Sequence, residues 1–189
     1  AILSGMWITG GEVALRGLVF ADSSEGLKIE AGTATVEGSA FRDVGGPFAP
    51  AIAVQAGAGL TLSGSVLERV RGPQGAISVT TDSVMSIDDV DIRDCRGDEG
   101  GAIYTDASSV SLERVLIEGC EGQTGGGIAA MSGTVVMQSV RITDSIADSG
   151  GGLYVGSGAA VTAEDVVMSG NVASNGGHIT IDGGSLLWD

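Results

Sequence analysis

Three columns of residues recur along this chain with a single period, and that recurrence restricts the fold more than any other feature. The first column runs Met6, Leu27, Ile52, Ile77, Ile103, Ile128, Leu153, Ile179, at spacings of 21, 25, 25, 26, 25, 25 and 26 residues. The second runs Phe20, Phe41, Leu67, Ile92, Ile117, Ile142, Met168, and the third Ser23, Val44, Val70, Cys95, Cys120, Ser145, Asn171. Within a unit the apolar alternation has period two, as in Val110, Leu112 and then Val115, Ile117, with Ser111, Glu113, Leu116 and Glu118 between and beyond them. Short alternating runs broken by Gly or Ser read as strand, turn, strand. No segment carries a capped helical stripe, so helices are expected to be incidental at most.

Strands this short cannot each bury a face alone. Coiled so that equivalent strands stack in parallel about 4.8 Å apart, they share one interior. The expected fold is therefore all-β, a right-handed parallel β-helix (solenoid) of about seven coils of about 25 residues. Its hand follows from the chirality of parallel crossovers, and its length is roughly 35 Å. Residues 1–189 read as a single β-helix domain, expected to be one segment of a longer solenoid. The pairs Gly100-Gly101, Gly126-Gly127, Gly151-Gly152 and Gly176-Gly177 each stand just before a first strand. They are expected to supply positive φ at a sharp corner. The first coil turns through Ala21-Asp22-Ser23-Ser24-Glu25-Gly26 alone, which accounts for its 21-residue step.

Net charge is −15, from 24 acidic and 9 basic side chains. That surface repels phosphate backbones and anionic lipid, so neither nucleic acid nor a membrane surface is an expected partner. No run approaches the roughly 18–20 apolar residues of a membrane span. Two cysteines are too few for a disulfide scaffold. Hydrophobic residues make up 43% of the chain and aromatic ones only 4%, which suits a thin core of stacked aliphatic side chains.

Gly100-Gly101-Ala102-Ile103, Gly126-Gly127-Ile128 and Gly151-Gly152-Leu153 resemble the GGA[ILV] signature of polymorphic outer-membrane proteins. Those are β-helical autotransporter passengers at bacterial surfaces. Their companion FxxN signature is approximated by Phe41-Arg42-Asp43-Val44, by Ile92 to Cys95 and by Met168 to Asn171. More broadly, nearly the whole chain is similar to right-handed β-helix repeat proteins of the pectin-lyase-like superfamily. That group mixes polysaccharide lyases and hydrolases, phage tailspikes and adhesins, so the resemblance implies a fold and leaves the activity open.

Enzymes of this group usually work on the outer face of the first-strand sheet. Here that face reads Trp7, Lys28, Ala53, Ser78, Tyr104, Ala129, Tyr154, Thr180, and its next outward column Glu30, Gln55, Thr80, Asp106, Met131, Gly156, Asp182. Glycosidase carboxyls stand about 5–10 Å apart. Glu30, Asp106 and Asp182 are three coils from one another, roughly 14 Å. Asp82 with Asp106 is the one close pair, with no basic partner, and reads as surface. His178 takes the corner place of Ala102, Gly127 and Gly152 and reads as a turn substitution. Cys95 and Cys120 stack one coil apart. Buried thiols are the expectation, and a bridge would need some adjustment of the backbone. The acidic loop at Asp98-Glu99 repeats no calcium ligand set, since its column continues as Gln123, Asp148, Ser174. The outward column Ala14, Thr35, Thr61, Ser86, Ser111, Val136, Thr162 is too irregular for an ice-binding threonine ladder. Arg42, Glu68, Arg93, Glu118 and, beside them, Asp43, Arg69, Asp94 alternate in sign, an arrangement that supports strand register.

No catalytic, cofactor-binding or metal site is expected, and no cofactor. The expected role is a non-enzymatic structural or display segment of an extracellular or bacterial cell-surface, adhesin-like protein. One alternative is a carbohydrate-binding or polysaccharide-cleaving β-helix, since Trp7, Tyr104 and Tyr154 point outward. Binding by the loop Gly45-Gly46-Pro47-Phe48-Ala49-Pro50 is a further expectation. Another alternative is a subunit of an extracellular filament. The apolar Ala1-Ile2-Leu3 and Leu186-Leu187-Trp188-Asp189 bring no polar cap, so further coils or other protein chains are expected at both ends, with surface glycans as additional partners.

Overall fold

The structure, a computed structural model, describes residues 2–47 and 49–189. Ala1 and the Phe48 of the Gly45–Pro50 loop lie outside the described residues. Among those described, every ordered element is a β-strand and none is a helix. The strands form a 12-stranded sheet, an 8-stranded sheet and two 2-stranded strips.

The 12-stranded sheet is built from the first two strand runs of each coil. In some coils these join as one long strand, as in Leu27–Glu37, Ile128–Gln138 and Leu153–Glu164. In others they are split, as in Ile77–Thr80 and Val84–Asp88 or Ile103–Asp106 and Ser108–Glu113. The 8-stranded sheet holds the short third strand of each coil, for example Asp91–Arg93, Leu116–Glu118 and Arg141–Thr143. All strand pairing is parallel and follows the period read from the sequence. Met6 pairs with Leu27, and so on level by level to Leu153 with Ile179. Phe20 pairs likewise through Phe41, Leu67, Ile92, Ile117 and Ile142 to Met168.

Because each strand's neighbours above and below are its own repeats, inward side chains stack in files and exclude water together. Leu27, Ile52, Ile77, Ile103, Ile128 and Leu153 form one such file, and Leu67, Ile92, Ile117 and Ile142 another, all essentially without solvent exposure. Phe20 and Phe41 stack face to face with centroids 4.8 Å apart in the same file as Leu67. Polar residues in inward files satisfy the turn backbone: Ser39 and Ser65 bond the carbonyls of Glu37 and Ser63, and Asn171 gives its amide to Ile142 O and takes the N–H of Ser145.

Two corners in every coil adopt the left-handed conformation. One file is Gly17, Gly38, Gly64, Asp89, Arg114, Ser139, Asp165, with φ from 51° to 60°. The other is Asp22, Asp43, Arg69, Asp94, Gly119, Asp144, Gly170, with φ from 50° to 66°. Glycine or aspartate suits such a place, whereas an arginine is held there at a cost of about 1 kcal/mol. Coil closure therefore sets the conformation, and the residue complies.

The glycine pairs act differently from the expectation. Of their eight residues only Gly176 has positive φ; at the same register position the two preceding coils carry the left-handed Gly125 and Gly150, each just before its pair. The pairs are needed because adjacent coils touch there. A Cβ on Gly101 would lie 2.0 Å from Gly126 O, one on Gly126 2.4 Å from Gly151 O, and one on Gly151 2.3 Å from Gly177 O. Only a residue without a side chain permits that approach.

The charge ladder forms as separate pairs. Arg42 meets Glu68 and Arg93 meets Glu118, each at 3.4 Å, but between these pairs Glu68 turns to Arg69 and Arg93 to Asp91. Arg69 clamps Asp43 through two 2.9 Å bonds, which hold the Asp43 carboxyl below its ordinary value.

Candidate functional site

The outward side chains of the first strands share one column, yet they differ in accessibility along the rod. In the later coils the segment before each first strand is long. Backbone bonds link these segments to one another: Asp98 N–H to Pro73 O, Gln123 N–H to Asp98 O and Asp148 N–H to Gln123 O, all 3.0 Å. They rise beside the first-strand face as a wall. Under it Tyr104 is 7% exposed and Ala129 is fully covered. A Cβ on Gly100 would stand 3.3 Å from that of Ala129, so the wall leans directly on the column. Burial, with the carboxylates of Glu99 and Asp106 nearby, pushes the Tyr104 phenol up to about 12. Tyr104 is thus outward in register but closed to a ligand, which corrects the expectation that it could stack on sugars. Tyr154 is half-buried, and its hydroxyl donates to Asp182 Oδ2 at 2.8 Å.

The first coils differ. Before Leu27 the segment is short, with only Ser24, Glu25 and Gly26 after Ser23, whereas the segment from Val44 to Ile52 is as long as those of the later coils. The face opens there as a groove of about 580 Å³. Its floor is the outward column Trp7, Lys28, Ala53, Ser78; Gln55 and Thr80 from the neighbouring column and Pro50 and Gln74 from the next loops line its sides. Trp7 is 63% exposed. The Lys28 ammonium sits 4.8 Å from the Trp7 ring centroid and 2.8 Å from Glu30 Oε1, while Gln55 Nε2 donates to the same oxygen at 3.0 Å. The Lys28 hydrogen bond, with smaller help from Trp7 and Gln55, keeps the Glu30 carboxyl below its ordinary value. Across the groove Ser78 Oγ donates to Gln74 Oε1 at 2.9 Å. The set combines one exposed aromatic face, two amides, two hydroxyls and an internally neutralised ion pair. Such groups bind by stacking and hydrogen bonding.

The other residues singled out in the sequence take structural places. Asp106 Oδ1 accepts a 2.5 Å bond from Ser132 Oγ, and Asp82 occupies a left-handed turn, its N–H bonded to Ala107 O, at a shallow recess. His178 is exposed at its corner, where its carbonyl accepts the N–H groups of Gly152 and Leu153. Cys95 and Cys120 are buried free thiols, donating to the carbonyls of Arg93 at 3.2 Å and Glu118 at 3.5 Å. The bond to the Cys120 sulfur and burial push the Cys95 thiol up. Among the described residues no three His, Cys, Asp or Glu side chains are grouped to hold a metal ion. Lys28 and Gln55 stand in the outward columns read from the sequence, but neither they nor Gln74 was singled out there as a groove partner.

A family model described as a right handed beta helix region matches residues 4–187. No curated protein and no solved structure matches the chain.

Proposed function

The chain belongs to the right-handed β-helix family, and from that premise we propose that it is a non-enzymatic, rigid display segment of an extracellular or cell-surface, adhesin-like protein. The passengers of autotransporters and polymorphic outer-membrane proteins are the model for this reading, and the pectin-lyase-like solenoids its broader relatives. One observation carries it: the first-strand column pairs in parallel at each of eight levels from Met6 to Ile179. A rod of this kind transmits position along its axis, since each coil is held by the two beside it.

Surface chemistry supports the same reading. Seven of the nine basic side chains, Arg16, Lys28, Arg42, Arg69, Arg93, Arg96 and Arg114, are engaged in ion pairs among the described residues. The acidic surplus remains outward, where like-charge repulsion keeps rods apart. Further coils or other protein chains are the proposed partners, stacking on terminal levels such as that of Leu187 and Trp188, both exposed.

The test is immunolabelling of intact cells of the source organism with antibody to this chain, coupled to protease shaving. Labelling of intact cells that shaving removes is expected; labelling only after lysis overturns the proposal. Cleavage of any polysaccharide by the purified chain, lost in Asp106→Ala, would overturn its non-enzymatic part.

A further inference from the structure

We propose that Cys95 and Cys120 are a disulfide site: on oxidation they join two neighbouring coils near the middle of the rod by a covalent bridge. Register and side-chain contacts carry this, independently of where the rod is displayed.

The two cysteines of the chain stand 25 positions apart and so hold the same place in consecutive coils. Their coils are joined on both sides of that place. Ile92 pairs with Ile117 in the strands before it, and after it Glu121 N–H donates to Cys95 O at 2.9 Å. Residues matched in this way on neighbouring parallel strands have Cα atoms about 4.8 Å apart, inside the range of about 4.4–6.8 Å that a disulfide spans.

The directions of the side chains favour a bridge. The Cys120 sulfur leans toward the coil of Cys95, where it lies 3.8 Å from Ile92 O. The Cys95 sulfur leans the same way, toward Leu67 O at 3.9 Å in the coil before. Turning Cys95 about χ1 aims its sulfur at Cys120, and a small approach of the two corners completes the geometry. Little opposes that turn, because a thiol is a weak donor to the carbonyls it now touches. The sulfurs already stand beside one another, since Cys120 is the leading cause that holds the Cys95 thiol above its ordinary value. Other coils fill this place with Val44, Val70, Ser145 and Asn171, so no third cysteine competes.

The reaction balances by exchange with a small disulfide such as oxidised glutathione. One cysteine thiolate attacks it, forming a mixed disulfide and releasing one glutathione thiolate. The second cysteine thiolate then displaces the other glutathione. The cysteines lose two protons and two electrons, and the reagent gains them as two thiols. Both sulfurs are 1% exposed in the finished rod, so exchange belongs to the folding chain, before the levels close. Once formed, the bridge makes one interface between coils covalent, and unfolding that spreads from level to level can no longer part those two coils.

The test unfolds the full chain in urea, where both thiols are accessible, and folds it in parallel in oxidised glutathione and in reductant. Folding in oxidised glutathione is expected to leave no free thiol and to remove two hydrogen atoms from the mass. Trypsin is then expected to release Asp94–Arg96 linked to Val115–Arg141. The thermal midpoint is expected to exceed that of the reduced chain by about 5–10 °C, a difference that reductant abolishes. The variant carrying both Cys95→Ser and Cys120→Ser is expected to fold, since Ser145 occupies the same place one coil on. Its midpoint is expected to lie near that of the reduced parent and not to respond to glutathione. Retention of both thiols by the chain folded in oxidised glutathione, capture of glutathione or links between chains in place of the internal bridge, or an oxidised midpoint at or below the reduced one would each overturn the proposal. None of these outcomes bears on the cell-labelling test above.

Discussion

Ile117 stands in the middle of the rod and provides the most direct test of the inward and outward phase. Its side chain is fully buried, in file between Ile92 and Ile142, which are equally buried. Replacing it with aspartate removes about 2–3 kcal/mol of apolar burial. It also places a carboxyl among aliphatic side chains, which costs several kcal/mol even in the neutral form. The sum approaches the whole stability of an ordinary domain, about 5–15 kcal/mol. Because levels are coupled to their neighbours, a lost central level also removes the two interfaces flanking it. Ile117→Asp is therefore expected to show no cooperative urea transition by circular dichroism and to be digested rapidly by protease. Ile117→Val, which keeps the shape of the file, is expected to cost about 1 kcal/mol. The next residue supplies the control. Glu118 faces solvent, and its partner Arg93 lies at 3.4 Å with both side chains more than 40% exposed, so Glu118→Ala is expected to cost under about 1 kcal/mol. A folded Ile117→Asp whose urea midpoint matches that of Glu118→Ala would refute the assigned phase and with it the stacked core.

Three further outcomes follow from local geometry. Gly126→Ala would bring a Cβ to 2.4 Å from Gly151 O and is expected to cost about 3 kcal/mol, whereas Gly177→Ala meets nothing nearer than 3.6 Å and is expected to change urea stability by under about 0.5 kcal/mol. Thr81, β-branched and exposed at φ 60°, is held in an unfavourable conformation, so Thr81→Gly is expected to raise thermal stability by about 1 kcal/mol; a loss would show that the threonine is not strained. The Tyr104 phenol is pushed from 10.0 up to about 12, so the folded state holds this proton more tightly than the unfolded one. Its contribution to stability is complete below pH 10 and is lost as pH rises through about 12. In Tyr154→Phe, phenolate absorbance is expected to appear only near the upper value, and Tyr104→Phe is expected to remove this part of the alkaline destabilisation.

The strand register was legible because it depends on a repeated demand with few solutions. An inward residue in this solenoid must be apolar in every coil, and Leu27, Ile52, Ile77, Ile103, Ile128 and Leu153 keep that demand visible at constant spacing. The corners were less legible for the opposite reason. A left-handed turn is imposed by closure of the coil and accepts whatever residue stands there, so Arg69 read as a member of a charge column although its φ is 52°. The glycine pairs were recognised as special, but through the wrong requirement. Positive φ is a property of one residue, whereas contact between Gly126 and Gly151 is a property of two neighbouring coils, and sequence alone does not distinguish the two.

The candidate site shows where register stops being informative. Trp7, Tyr104 and Tyr154 lie in the same outward column, so alternation assigns them one orientation and, by itself, one fate. The structure gives them three: Trp7 open, Tyr104 covered, Tyr154 tied to Asp182. Segment length does not separate them, since eight steps lead from Cys95 to Ile103 and from Ser145 to Leu153 alike. What separates Tyr104 from Tyr154 is the contact each makes: Glu99, in the segment before Ile103, lies against the Tyr104 phenol, whereas the Tyr154 hydroxyl reaches Asp182 of the next coil. Alternation assigns a residue to a side of the sheet, and contacts between neighbouring coils decide whether solvent reaches it there.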